Sequence, residues 1–536
     1  MNPRRARNLR DSSYGDFTTI GTSGHANVNN VGRDMNIQIY NERDARRISL
    51  HPGFVVPDAS YKGHDTRVGC LKGTRTLAIA KISTWKNDIN ANPLCWMSGP
   101  AGFGKSAISQ TVAESCARNK TLAASFFFSR GAGGRSKIVH FVTTLAFQIT
   151  ISVPGLKPLV EKALQDDPTI PDQSIANQLQ SLIFEPLMAF RTFLRPRRTV
   201  LVVVDGLDEC DDRKLIQEVI TALAGARHVG PALTLRWLLT SRGEEHIRQS
   251  FSSTVCRRTT TLLQLESIHA HDDIKMFLEA TFSDITQHSP RLFLNIPRPW
   301  PSSENLNALV QNSSGMFIFA STLAKFVTDG QAPPDRKLES VLKMHAGLDP
   351  LYTQVLRDVP QITCFDRVLT TLMLLYEQPS VEELAELLEL KNQDVLHALL
   401  TIQSIIHIPA NDNHPIQLNH ASLRDFLVDE SRSNDLFIDP PIAHASIFAV
   451  CVKILERKLE LDIIPKNEAE RYAAKYWPRH LLDSHNASEA SPKLADVLQG
   501  FSSSQVIEPW INILIARGEC KQTVDQLIDL AGKYEV

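Results

Sequence analysis

The residues best suited to chemistry stand in the run GPAGFGKS: Gly99, Pro100, Ala101, Gly102, Phe103, Gly104, Lys105 and Ser106. Two glycines bracketing four residues, then Lys and Ser, form the pattern of a phosphate-binding loop, and composition alone rarely produces it. Gly102 and Gly104 allow a tight turn and a close backbone approach to phosphate oxygens with no Cβ in the way. The strand-like run LCWMS precedes the loop and a helical pattern opens near Lys105, so N–H groups at a helix N-terminus would face the phosphates. Lys105 is expected to contact the β- and γ-phosphates, and Ser106 to hold Mg2+ through its hydroxyl. A glycine-rich turn without a ligand is the plain alternative.

Further along, TVLVVVDGLDEC places Asp205 at the carboxyl end of a buried strand, where ligands of open α/β sheets gather. A carboxylate there can reach a Mg2+ shell. Asp208 and Glu209 follow closely enough for one of them to orient or deprotonate an attacking water while Asp205 stays with the metal. Three carboxylates so close together would be costly without a cation, although a solvated acidic loop is the alternative. The run TLRWLLTS ends in Ser241 and Arg242, and Arg242 would sense or stabilise a γ-phosphate if its strand neighbours the other two. Arg130, after SFFFS, is a weaker candidate of the same kind, for which a surface arginine at a strand end is the preferred reading.

These residues need elements to position them. Short β-branched or aromatic runs, LCWMS, LAASFFFS, TVLVVVD, TLRWLLTS and TTLLQL, alternate with helical patterns over Ala107–Arg118, Ile138–Ile151, Ile175–Leu194, Leu215–Ala226 and Glu244–Ser250. That alternation predicts a parallel five-stranded α/β sheet of the P-loop NTPase kind over residues 93–265. A leading helix is expected within 61–92. Beyond Leu265 amphipathic helices take over, giving a helical lid over 266–345. Over 346–440, further helices precede two strand candidates, IIHIPA and PIQLNH, joined by a turn at NDNHP, which suggests a winged helix. A helical tail fills 441–536, broken by a Ser/Ala-rich stretch, so the C-terminal half is mostly α.

The first 60 residues are polar, with β-prone pieces at FTTIGT and MNIQIY, and read as a disordered or loosely β-structured leader. An aggregation-type signalling motif, in which the Asn-rich leader templates a partner, is the alternative.

Composition sets wide bounds. The chain of 536 residues is 43% hydrophobic and 22% charged, with a net charge of -2, which is ordinary globular material for three or four domains. No overall positive field recommends nucleic acid or an anionic membrane as a partner. The cysteines are too widely spaced for a disulfide scaffold or paired metal ligands and read as reduced thiols. No apolar run reaches about 18 residues and no secretory signal opens the chain, so a soluble, cytoplasmic protein is expected.

Taken together, GPAGFGKSA, SFFFSR, LVVVDGLDEC, LLTSR and GMFIFAS closely resemble the NACHT module of fungal NOD-like receptor proteins, nephrocystin-3-like at its N-terminal end. CLKGTRTLAIAKISTW looks like the helix that leads into that module, and the similarity runs from about Tyr61 to Ser433. The resemblance implies the STAND class of signalling ATPases, which rest closed with ADP and open into oligomers on exchange for ATP. It also implies a lid and a winged helix, and it puts His420, in LNHASLRDFL, where related switches touch the ADP β-phosphate. The segment SSGMFIFAS lacks the proline found in plant and apoptotic relatives, so adenine contacts from Gly315 or Met316 do not transfer. Relatives commonly continue into repeat arrays, and none is visible here, so a truncated receptor or an adaptor is expected.

The expected function is thus a nucleotide-operated switch that binds Mg-ATP or ADP, hydrolyses ATP slowly and forms a homo-oligomer when activated. A protein partner would engage through the leader or the helical tail. Fungal non-self recognition or programmed cell death is the implied pathway. A nucleotide-binding scaffold without significant hydrolysis is the alternative, and an ordinary turnover enzyme finds no second substrate pocket in the sequence.

Overall fold

The structure, a computed structural model, describes residues 54–63, 69–191, 198–294, 296–459, 468–484 and 510. The chain divides into two compact units, Met1–Ile48 and Ser49–Val536, of which the first lies outside the described residues. The β-prone pieces FTTIGT and MNIQIY of the leader, and the Ser/Ala-rich break of the tail, therefore also lie outside them.

Five strands build the central sheet: β1 (Leu94–Ser98), β2 (Leu122–Phe127), β3 (Arg198–Asp205), β4 (Leu233–Ser241) and β5 (Thr260–Gln264). All run parallel, in the order β2-β3-β4-β1-β5. Helices cover both faces, which is why β1 and β4 are buried along their whole length and read as continuous apolar runs. The register pairs Ser98 with both Ser241 and Gln264, and Phe127 with Asp205. The carboxyl ends of β1, β3 and β4 therefore finish side by side, and the loops that follow them emerge along one edge. Met97, Ile108, Val112, Leu201 and Leu238 form the core between the sheet and the helix Lys105–Arg118. The described cysteines are all free thiols, as their spacing suggested.

Two details of this half differ from the sequence reading. The segment read as one helix, Ile175–Leu194, breaks into a π turn at Gln180–Phe184 and stops at Ala189. Pro186 is the physical reason: it has no N–H to return to the carbonyl four residues back, and the ladder widens ahead of it. Two short helices, Lys157–Asp166 and Thr254–Thr259, had no counterpart in the reading.

After the sheet the chain is helical. His271–His288, Ser303–Asn312, Phe317–Val327 and Pro334–Leu342 come first, then Leu348–Arg357, Phe365–Leu374, Val381–Leu388 and Asn392–Leu400. A two-residue antiparallel ladder, β6 (Ile406–His407) with β7 (Gln417–Leu418), follows, and then Ser422–Leu427, Pro440–Leu459 and Glu468–Asp483. Ser380 opens Val381–Leu388 through a capping box with Glu383, two orphan donors satisfied at once. One apolar core runs through these helices, including Leu309, Phe319, Leu351, Phe426, Phe448 and Trp477. Among the described residues no single helix is long and apolar enough to cross a membrane, although one bent pair, Glu430–Leu436 with Pro440–Glu456, reaches that length and composition.

Candidate nucleotide site

The loop after β1 carries its two internal glycines in the left-handed region, Gly102 at φ 78° and Gly104 at φ 81°. Gly104 ends the loop as the N-cap of Lys105–Arg118, so the helix N-terminus opens directly from it. A Cβ on Gly102 would overlap Ile318, and the Gly102 carbonyl accepts the Ile318 N–H at 3.2 Å. The N-terminus of Phe317–Val327 is thus pressed onto the loop. Lys105 Nζ donates to the carbonyls of Gly99 (2.7 Å) and Pro100 (2.8 Å). Burial lowers its pKa, while the charges of Asp208, Asp205 and Glu209 act in the opposite sense.

At the end of β3, Asp205 is held by two hydroxyls on one oxygen: Oδ1 accepts from Ser109 Oγ (2.7 Å) and Thr240 Oγ1 (2.6 Å). Thr240 Oγ1 in turn accepts the Gly206 N–H at 3.0 Å, which fixes the turn that follows. Asp208 Oδ1 accepts the Arg242 N–H at 2.9 Å and its Oδ2 lies 3.2 Å from Arg242 Nε. Glu209 Oε2 accepts the Arg130 N–H at 3.3 Å. Burial, with the charges of Asp208 and Asp205, pushes the Glu209 carboxyl up to about 7, and Arg242 offsets only part of this. A carboxyl that titrates there is suited to exchanging a proton with water at neutral pH.

His420 meets the loop from the C-terminal half. Its Nε2 accepts the Gly102 N–H at 3.1 Å, and its Nδ1 lies 2.7 Å from Ser422 Oγ. The Ser422 N–H also lies 3.1 Å from Nδ1, so backbone N–H groups face both ring nitrogens. Burial, together with the positive charges of Arg242 and Lys105, holds the imidazole down to about 3, so the ring is neutral at any ordinary pH.

These groups surround one cavity of about 650 Å³, whose wall includes Gly102, Gly104, Lys105, Ser106, Asp205, Asp208, Glu209, Arg242 and His420. Gly99, Pro100, Ala101 and Phe103 belong to the same loop but not to the cavity wall. Gly315 rests against the Phe103 ring. Ser106 is exposed on the cavity wall. Glu377 and Gln378, which follow the helix Phe365–Leu374, close the cavity on the side of the C-terminal half.

Sequence reasoning missed four contributors. Ser109 and Thr240 fix Asp205 but are ordinary hydroxyl residues of a helix and a strand. Asp425 accepts from Arg242 Nη1 on one oxygen and lies 3.5 Å from Arg130 Nη1 on the other. Arg130 also donates Nη2 to the Asp208 carbonyl at 3.0 Å, so it is a member of the site rather than a surface arginine. The fourth is Arg75, which lines the cavity although it is only 2% exposed. Its Nη2 donates to the Phe103 carbonyl at 2.8 Å and its guanidinium lies 4.7 Å from the Phe317 ring centre. Among the described residues its Nε and Nη1 have no hydrogen-bond partner. The backbone of Arg75 is left-handed, with φ 54°, and its N–H is tied to Asp273 Oδ2 at 3.0 Å. No spacing in the sequence links it to a loop so far downstream.

Residues 73–242 match the sequence model of the family described as nephrocystin 3, N-terminal. None of the curated proteins matches the chain. Among solved structures, a Signal Transduction ATPase with Numerous Domains (STAND) protein with a tetratricopeptide repeat sensor from Pyrococcus horikoshii superposes with a TM-score of 0.44 at 12% identity. That superposition covers 88% of this chain and 63% of the archaeal one, so the chain spans less than two thirds of its relative's length. A Walker-type ATPase of Pyrococcus abyssi gives a TM-score of 0.34 at 13% identity, over 67% of this chain and 98% of that one. Drosophila ORC bound to DNA gives 0.27 at 12% identity, over 74% and 96%. The fold assignment rests on the strand order and loop geometry, with the family match beside them: this chain carries a P-loop NTPase module, similar over residues 73–242 to the nephrocystin 3 N-terminal family.

Proposed function

We propose that the protein is a nucleotide-operated switch of the NACHT and STAND kind, binding ATP or ADP at the loop Gly99–Ser106 and turning it over slowly. The observation that carries this reading is the hydrogen bond from the Gly102 N–H to His420 Nε2. A side chain of the C-terminal half sits on an amide of the phosphate-binding loop, so phosphate bound there and the position of that half are necessarily linked. Residues 346–440, with four helices followed by the β6–β7 ladder, are read as the winged helix that performs this sensing, and 266–345 as the lid.

The donor set fits Mg2+ and nucleotide phosphates. Ser106 and Asp205 would hold the cation, and Asp205 Oδ2 has no hydrogen bond among the described residues while Oδ1 is fixed by Ser109 and Thr240. A bound Mg2+ supplies charge neutralisation across the phosphates. Lys105 and the loop amides bind the phosphate chain, Glu209 is the group that takes a proton from water, and Arg242 stabilises charge on the terminal phosphate. Arg242 is already engaged by Asp208 and Asp425, which favours slow turnover. Assembly into a homo-oligomer on activation, a partner engaged through the leader or tail, and a role in fungal non-self recognition or cell death belong to the same reading.

The test is to denature freshly purified protein, identify the released nucleotide by chromatography, and repeat this with Lys105→Ala. Stoichiometric ADP in the wild type and its loss in the variant are expected, since one contact to a charged phosphate is worth about 1.5 to 3 kcal/mol, roughly tenfold to a hundredfold in affinity. A variant that retains nucleotide as tightly as the wild type would remove the site assignment.

A further inference from the structure

Two guanidiniums leave the carboxyl ends of the strands that flank β3, Arg130 after β2 and Arg242 after β4. Both reach the same anion, which belongs to the other half of the molecule. Asp425, on the helix Ser422–Leu427, gives Oδ2 to Arg242 Nη1 and Oδ1 to Arg130 Nη1. It lies on the segment that also carries His420, so the residue on the loop amide and the residue on the arginines move as one piece. A carboxylate and a phosphate offer an arginine fork the same paired oxygens and compete for the same N–H groups. Arg242 is the side chain expected to meet a terminal phosphate, and Asp425 already holds it.

We propose that Asp425 sets the preference of this site for a nucleoside diphosphate over a triphosphate, by occupying on Arg242 and Arg130 the place that a third phosphate would take. The inference rests on the switch reading above. A diphosphate bound at the loop leaves the Asp425 pairing intact. A triphosphate must displace the carboxylate, because two anions on one pair of arginines repel. The side chains retain some exposure, 24% for Asp425, 19% for Arg242 and 31% for Arg130, so solvent screens the pair and the selectivity should be moderate rather than absolute.

The experiment measures Kd for ADP and for a non-hydrolysable ATP analogue on the full chain, as wild type, Asp425→Asn and Asp425→Glu. The expected result is a ratio Kd(ATP analogue)/Kd(ADP) that falls about tenfold or more in Asp425→Asn, with the ADP value itself within about threefold of wild type. Asp425→Glu keeps a carboxylate and should retain most of the wild-type ratio. An unchanged ratio in Asp425→Asn overturns the proposal, as does an equal loss of both affinities, which would mark Asp425 as a structural latch. A wild-type chain that binds neither nucleotide overturns the switch reading itself, and this inference with it. Hydrogen exchange on the wild type reads the same event without a variant. Protection of Ser422–Leu427 should fall with the triphosphate analogue and hold with ADP, and protection that responds alike to both would sink the idea even if Asp425→Asn fails to fold.

Discussion

Two glutamates face the same cavity, and their surroundings push them in opposite directions. Glu209 stands on the NTPase side, where burial and the carboxylates of Asp208 and Asp205 raise it to about 7. Glu377 stands on the opposite wall, where burial also works against its charge but Lys475, Arg471 and Tyr476 more than offset it and hold the carboxyl down to about 2. Its oxygens receive Tyr476 Oη at 2.6 Å, Arg471 Nη2 at 2.8 Å and Lys475 Nζ at 3.0 Å, all from the helix Glu468–Asp483. One region is a joint whose charges are matched internally. The other sets Glu209 beside two further carboxylates, whose repulsion Arg242 offsets only in part.

The sharpest way to break this comparison is at the joint. Glu377→Ala should cost about 3 kcal/mol of stability, because Tyr476, Arg471 and Lys475 lose the buried carboxylate they share, even though Arg471 keeps its pairing with Glu468. Chemical denaturation of the single and double variants with Arg471→Ala would show it, and a loss well under 1 kcal/mol would mean that the joint is ornamental. The NTPase side should respond with the opposite sign. A Glu209 carboxyl raised from 4.5 to about 7 keeps its proton longer when folded, so the wild type loses stability as pH rises through that window. Glu209→Gln should therefore match the wild type at pH 4.5 and exceed it by about 2 kcal/mol at pH 8. A variant less stable than wild type at pH 8 would contradict a raised Glu209 carboxyl.

The smallest effect distinguishes neither wall but both together. His420 on the loop, and His444 in the joint at 2.8 Å from His480 Nδ1, are lowered to about 3 and about 4, with burial the largest cause in each case. Folded rings stay neutral where unfolded ones charge, so their contribution to stability is present above about pH 6.5 and is lost as pH falls toward about 4. Thermal melts should lose about 1 kcal/mol per histidine between pH 7 and 5.5, and His444→Gln should flatten that slope. A slope unchanged in the variant would place the protons elsewhere.

The sheet was legible because its strands are short, β-branched and bounded by turn residues, and GPAGFGKS after the first of them is a pattern readable from local sequence alone. The helices of the C-terminal half followed from apolar spacing in the same way. What stayed hidden is what only packing can join. Nothing near Asp425 announces that Arg242 will lie against it, and nothing near Arg75 points to Phe103. The resemblance singles out His420 for an ADP phosphate, and only packing sets it against the Gly102 amide. The π turn before Pro186 shows the remaining limit, since periodicity sees which residues are apolar but not where one missing N–H will widen a helix.

Tyr376, Glu377 and Gln378 are consecutive and are gripped from both sides. The Gln378 N–H bonds the Gly131 carbonyl in the turn after β2 at 2.7 Å, while the Tyr376 N–H bonds Tyr472 Oη at 3.0 Å and Glu377 is clamped to the same helix as Tyr472. Three residues therefore behave as a short crank. A displacement of the helix Glu468–Asp483 would therefore reach, across a single peptide unit, the residue beside Arg130.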